Sequence, residues 1–207
     1  MLTSFIAGFI LGQDPKPPTK QLWFMFFLKG DGPRPADPKE ITKMQEGHIK
    51  NLQTQGQAGH LLAAGPLTDP TQQRRGITVA LASERPDVDA LFTTDPFVKS
   101  KIMYVTAARW EAEFGGFRAD YDKENMDEYE LLITTQNLLR RTRTSLRSFA
   151  VGGRTTYSVS EKYSFSGEVW ISRKSDHEKL VAAMGDVAAP REIIPLWMAK
   201  GLLKPAG

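Results

Sequence analysis

The chain has 207 residues, of which 41% are hydrophobic and 25% are charged, and its composition is ordinary for a globular protein of one large or two small domains. Its net charge of +3 is too small to indicate nucleic-acid binding. It has no cysteine, which excludes disulfides, thiolate catalysis and cysteine-bound metals. Its three histidines include no pair at the i, i+4 spacing of helical zinc ligands, so no metal is expected. It has no nucleotide-binding glycine loop, and no cofactor is expected.

The first twelve residues are apolar and uncharged and precede a proline-rich spacer, so residues 1–20 are set apart from the fold. The apolar stretch is too short to span a membrane as a helix, and it fits the hydrophobic region of a secretory signal peptide with Gly12 at the cleavage point. No Lys or Arg precedes it, however. One expectation is therefore export to the periplasm or the medium, and the other is an N-terminal arm of a cytoplasmic protein.

Residues 21–117 predict a β-α-β-β-α-β unit. The aromatic run 22–28 is typical of a buried strand, and Asp37 and Pro38 are typical of the start of a helix that ends at Gly56. Further elements are predicted as strands at 60–64, 76–83 and 103–110 and a helix at 87–94, which Asp95-Pro96 breaks. This order is that of the ferredoxin-like α+β fold, a four-stranded antiparallel sheet with two helices on one face.

The second half repeats this order weakly after a linker predicted at 118–128. Its elements are predicted as strands at 129–134, 155–159 and 168–172, helices at 136–149 and 177–184, and a last strand at 193–198. Asp176 is expected to cap the final helix, and Pro195 argues for an edge or a bulge in the last strand. We therefore predict a tandem duplication in which residues 129–207 form a degenerate second repeat. The two repeats would bury their open sheet faces as a pseudo-dimer, and a homodimer of the whole chain is the alternative.

One histidine lies where an apolar residue is expected. His48 lies on the stripe that Met44 and Leu52 occupy, because positions four apart share one face of a helix. A buried imidazole needs a hydrogen-bond partner, and Asp95 lies where the second predicted helix ends. The sequence therefore predicts a buried pair of His48 and Asp95 beside a pocket.

Three segments occur in a characteristic order: GHIKNL at 47–52, GHLLAAGPL at 59–67 and TDPFV at 94–98. Over about residues 21–115 they resemble the YciI-like (YCII-related) family. The resemblance implies a ferredoxin-like, dimeric α/β-barrel fold with a His–Asp active site in a cleft, and it assigns the two roles to His48 and Asp95. An enzyme related to this family removes HCl from a chlorinated hydroxyhydroquinone. The second half has Gly185-Asp186 where Asp-Pro would stand, so that half is expected to be a structural partner.

Two kinds of function remain open. In the first, His48 is a general acid/base held by Asp95 in a cofactor-independent lyase or isomerase that acts on a small organic molecule. Its substrate-binding residues are then expected to be Gly65, Pro66, Arg75 and Lys29, with the two cations holding an anionic group. In the second, the same fold is a non-catalytic ligand-binding or accessory domain, and His48 is a satisfied core residue. A catalytic pair should lie beside a reachable cavity, whereas a structural pair should be sealed off.

Overall fold

The computed structural model describes residues 19–158, 164–185 and 191–206, so the apolar stretch predicted as a signal peptide lies outside the described residues. The elements in these ranges are β1 Gln21–Lys29, α1 Pro38–Gln57, β2 Leu61–Pro66, β3 Arg74–Ala82, α2 Arg85–Ala90, α3 Pro96–Lys99, β4 Met103–Phe114, β5 Gly116–Phe117, β6 Asp122–Thr134, α4 Arg140–Leu146, β7 Ala150–Ser158, β8 Ser164–Arg173, α5 His177–Met184, β9 Arg191–Lys200 and β10 Leu203–Lys204. Within the described ranges, no helix combines the length and the apolar composition needed to cross a bilayer.

Eight strands form one antiparallel sheet in the order β2-β3-β1-β4-β7-β8-β6-β9, and β5 and β10 form a separate pair. The two edge strands approach each other, since the Thr68 amide donates to the Pro195 carbonyl over 2.9 Å and Leu67 bridges to Leu196. The sheet is therefore nearly closed as a barrel, and the predicted α+β class is confirmed. The first half contributes β1–β4 to this sheet, and the second half contributes β6–β9. When the four strands of each half are numbered in chain order, both halves place them in the order second-third-first-fourth.

The aromatic strand β1 packs on both faces of this sheet. Phe24 and Phe26 point into the barrel, where they join buried side chains from both halves of the chain. Trp23 and Phe27 point outward and pack with Val88 and other residues under the helices of the first half. The open sheet faces of the two halves thus share one core, but the strands of both halves join edge to edge into one curved sheet and do not form two separate sheets.

Three boundaries of the first half differ from the prediction. Helix α1 passes Gly56 and ends at Gln57. The second predicted helix ends at Ala90, and Asp95 begins the separate short helix α3 instead of only terminating the one before it. β2 continues through Gly65 and Pro66, which pair with β3, so these residues do not end the strand.

The second half also differs in detail. β6 begins at Asp122, inside the range predicted as a linker, and β7 begins at Ala150 rather than at 155, while Val159 lies outside the described residues. Helix α4 covers only 140–146, because Leu139 has an extended backbone. Asp176 precedes α5 but makes no side-chain cap, since it accepts from Lys179 instead. Pro195 lies in the edge strand β9, where its missing amide costs no hydrogen bond inside the sheet.

Candidate active site

Asp95 is held by the beginning of helix α3. Its backbone is extended, and its Oδ1 accepts from the amides of Phe97 over 3.0 Å and Val98 over 3.4 Å. A side chain in this position satisfies amides that have no partner in the first helical turn. The cap leaves Oδ2 for His48, whose Nδ1 lies 2.7 Å away. The carboxylate is completely buried, so this contact is shielded from water.

Helices α1 and α3 are held close together on both sides of His48. A Cβ atom on Gly47 would lie 2.7 Å from Pro96 Cγ, so only glycine allows this approach. On the other side, Asn51 Nδ2 donates to the Leu91 carbonyl over 3.0 Å, which ties α1 to the turn that leads to Asp95. The distance between the imidazole and the carboxylate is thus set by contacts outside the pair.

The side chain of His48 is 11% exposed and lies among aromatic rings. The rings of Phe27 and Phe97 meet it edge to face, with centroids 5.1 Å and 5.6 Å away. Nδ1 is occupied by Asp95, and Nε2 has no hydrogen-bond partner among the described residues. Nε2 is therefore the nitrogen left for a molecule in the adjoining cavity.

That cavity has a volume of about 580 Å³ and lies between α1 and the sheet. Its lining comes from both halves of the chain and is mainly apolar; it consists of Phe27, Gln45, His48, Ile49, Leu52, Gln53, Ala64, Gly65, Pro66, Arg75, Gly76, Ile77, Met103 and Met126. Ile49 and Met126 are 44% and 51% exposed, so they form the mouth. The volume is in the range of small-molecule sites, and the His48–Asp95 pair is not sealed off.

The structure brings together most of the residues that the sequence singled out. Gly65, Pro66 and Arg75 line the cavity with His48, and Asp95 lies behind the imidazole. Lys29 does not line it. This exposed residue ends β1, and its amide donates to the Gln73 carbonyl.

Ten of the fourteen described lining residues were not predicted as site residues, among them Gln45, Gln53, Met103 and Met126. Gln45 lies three positions before His48, so helical periodicity could have placed it on the same face. Gln53 and Met103 carry no comparable signal. Met126 comes from β6 in the second half, next to an irregularity in the pairing of β6 with β9, and nothing local in its sequence indicates contact with α1.

A clamp of charged residues joins the sheet edges beside the cavity. Arg74 donates to Asp69 over 3.1 Å and to Glu192 on β9 over 2.5 Å. Burial alone would raise the pKa of Asp69, but hydrogen bonds from Arg74 and Thr71 outweigh it and lower the pKa below its ordinary value. The Asp69 carboxylate is therefore charged in the folded protein. It lies at the place where the edge strands β2 and β9 meet, which we call the seam.

The other two histidines lie apart from the cavity. His60 is half-buried before β2 and contacts Gln55 through Nδ1 at 3.0 Å. His177 is partly exposed, and its Nδ1 lies 2.9 Å from both carboxylate oxygens of the buried Glu130. Glu130 also binds Lys174, so this cluster fastens the start of α5 to the sheet.

No protein-family model matches the sequence. No curated protein matches it either. Among solved structures, a candidate monooxygenase from Lactobacillus acidophilus is similar, with 12% identity, coverage of 90% of this chain and 99% of that chain, and a TM-score of 0.50. This likeness concerns the fold alone, and it agrees with the predicted dimeric α/β-barrel type.

Two further structures score lower. A dye-decolorizing protein from V. cholerae has 9% identity, covers 89% of this chain and 95% of its own, and has a TM-score of 0.48. A mutant chlorite dismutase from Candidatus Nitrospira defluvii has 9% identity and a TM-score of 0.45, and the match covers 87% of this chain and 92% of that chain.

Proposed function

We propose that this protein is a small acid/base enzyme in which His48 moves a proton to or from an organic molecule in the cavity. The observation that carries the proposal is the 2.7 Å contact between His48 Nδ1 and Asp95 Oδ2 at the wall of an open cavity. A buried His–carboxylate pair needs no cavity if its role is only to satisfy the core.

Asp95 supports this chemistry by selecting one tautomer of the imidazole. Its Oδ1 already accepts two amides, and its Oδ2 acts as the acceptor for an Nδ1–H donor. The lone pair of Nε2 is then free to take a proton from a C–H or O–H bond of the ligand. The electron pair of that bond forms a new double bond, and a leaving group such as chloride departs with its own bonding pair. Asp95 stabilises the imidazolium that results.

The proposal includes membership of the YciI-like family. The three segments that carry the resemblance meet at the site: one holds His48, one supplies Gly65 and Pro66 to the lining, and one holds Asp95 behind the imidazole. The common strand order of the two halves supports a tandem duplication, with the second half as an intramolecular partner that contributes Met126. A homodimer of the whole chain remains the alternative.

The test combines the tautomer of His48 with turnover in two variants. In Asp95→Asn, Oδ1 can keep the α3 cap while the amide nitrogen donates to His48 Nδ1, which forces the proton onto Nε2. We expect the ¹⁵N shifts of His48 to change from the Nδ1–H to the Nε2–H pattern. Turnover should fall by about 10²- to 10⁴-fold, the range that general acid/base catalysis contributes. His48→Gln should lose turnover to the same extent.

Turnover is measured as chloride release from chlorinated hydroxyhydroquinone and as exchange of carbon-bound hydrogen with D₂O in a panel of aromatic acids. His60→Gln is the matched control, because it removes a histidine that lies outside the cavity. Full activity in His48→Gln contradicts the proposal. Ligand binding by the wild type without any turnover favours the non-catalytic binding domain instead.

A further inference from the structure

We infer that the ligand of this cavity is an amphipathic organic anion, with one acidic group bound to Arg75 and an apolar, aromatic-sized body between α1 and the sheet. The inference rests on the proposed function for the position of the ligand beside His48. It adds the chemical class of the ligand and places its acidic group at Arg75.

The negative charge of the ligand is inferred from a difference between two consecutive arginines on β3. Arg74 points to the seam, where Asp69 and Glu192 neutralise it. Arg75 lines the cavity, and its guanidinium makes no hydrogen bond or ion pair with any described residue. An exposed guanidinium is a ready donor for a carboxylate, which it can bind through two parallel hydrogen bonds.

The cavity offers nothing that would neutralise this cation. Neither Asp nor Glu is present among the described residues that line it. The carboxylate of Asp95 lies behind His48 and is fully occupied by the imidazole and two amides. The local potential therefore favours an anion over a neutral or cationic ligand.

The apolar part of the ligand is inferred from the side chains that line the cavity and its mouth. Phe27, Ile77 and Met103 line the interior, while Ile49 and Met126 leave large apolar surface in water at the mouth. Covering such surface stabilises a complex in proportion to the apolar area removed from water. A ligand that is polar on all sides, such as a sugar, would leave hydroxyl groups without partners against these walls.

The test compares 3-phenylpropanoate with 3-phenylpropanamide, which have nearly the same shape and differ in charge. Binding to the full chain is measured by isothermal titration calorimetry at low salt. We expect the acid to bind the wild type and to bind Arg75→Gln about tenfold or more weakly, since a hydrogen bond between charged groups is lost. The amide should bind weakly and equally to both proteins.

Arg109→Gln is the matched control, because Arg109 is exposed, makes no ion pair with a described residue and lies over Trp23 in a different groove. It removes the same charge and should leave the affinity for the acid unchanged. Equal binding of acid and amide, equal weakening by Arg75→Gln and Arg109→Gln, or no binding of the acid at millimolar concentration overturns the inference.

His48→Gln separates the two proposals. We expect it to retain affinity for the acid, because the residue that binds the anion is intact. If it binds the acid normally but the wild type shows no proton transfer, the ligand class stands and the catalytic role fails. If the wild type has His48-dependent turnover only with uncharged molecules, the ligand class fails and the catalytic role stands.

Discussion

At the scale of single residues, two buried aspartates each accept several hydrogen bonds, but they have different roles. Asp95 accepts two amides and the His48 ring, and the ring leads on to a cavity. Asp69 accepts from Thr71 and Arg74, and Arg74 leads on to the opposite edge of the sheet. One carboxylate thus orients a candidate catalytic group, whereas the other stabilises the seam.

Replacing Asp69 should show a pH-dependent loss of stability. We expect Asp69→Asn to lower the free energy of unfolding at pH 7 by about 1–3 kcal/mol, because Arg74 loses its buried partner. The pKa of Asp69 is lowered in the folded state. Its contribution is therefore complete above the unfolded pKa of about 3.9 and is lost as the pH falls through the folded-state pKa.

Denaturant unfolding at several pH values checks this expectation. The difference between wild type and Asp69→Asn should be constant near neutrality and narrow below about pH 4. Glu192→Gln is the control, since that exposed partner should contribute no more than about 1 kcal/mol. A difference for Asp69→Asn that stays the same down to low pH would contradict the charged role of the carboxylate.

At the scale of elements, the candidate site depends on how closely α1 approaches α3. The bond between His48 and Asp95 joins residues 47 positions apart, and it forms because the helix starting at Pro96 packs on Gly47. The Pro96 ring has no amide hydrogen and suits the first position of a helix. Its contact with a glycine then brings the capping carboxylate within reach of α1.

Gly47→Ala should separate the two helices. The added methyl would meet Pro96 at 2.7 Å, so the helices must shift and the His48–Asp95 bond should lengthen. The gain of helix propensity, about 1 kcal/mol, should be offset by about 1–3 kcal/mol of overpacking. The measurement is the ¹⁵N spectrum of His48 together with the midpoint of unfolding.

Gly56→Ala is the matched control on the same helix, because no atom lies within 4 Å of its added methyl. It should stabilise the protein by about 0.5–1 kcal/mol and leave the His48 spectrum unchanged. An unchanged His48 spectrum in Gly47→Ala would show that the contact with Pro96 does not set the pair.

At the scale of the whole molecule, closure of the sheet positions the cavity between the halves. The edges β2 and β9 both carry proline, which removes amide donors, and the seam is held by the Thr68–Pro195 hydrogen bond and the Arg74–Glu192 ion pair. Gly65 comes so close to the Trp197 carbonyl that a Cβ atom would collide with it. The same glycine lines the cavity, so closure and ligand binding are linked.

We expect Gly65→Ala to open this seam. Overpacking against the backbone should destabilise the protein by about 1–3 kcal/mol, which corresponds to a fall of several degrees in Tm for a chain of this size. Affinity for the acidic probe should fall with it. Gly116→Ala is the control, because its added methyl meets nothing within 4 Å, and it should leave the Tm and the affinity unchanged. A Tm for Gly65→Ala equal to that of the wild type would contradict the link between closure of the sheet and ligand binding.

The sequence by itself determined the features that depend on one segment of chain. Asp37 and Pro38 marked the start of α1, helical periodicity placed His48 on a buried face, and Asp95-Pro96 marked a helix boundary. Such features follow from backbone preferences and from the period of a single element. The order of the strands in the first half followed from the order of these segments.

Apart from the contact between His48 and Asp95, only the tertiary structure decided which distant residues meet. The register of β3 sends Arg74 to the seam and Arg75 to the cavity, while Lys29 is left outside. Met126 reaches the cavity because β6 joins a sheet that curves until β9 meets β2. Glu130 meets His177 because β6 pairs with β8, which leads into α5. These contacts depend on sheet curvature and on pairing between strands far apart in the chain, and no local preference encodes either of them.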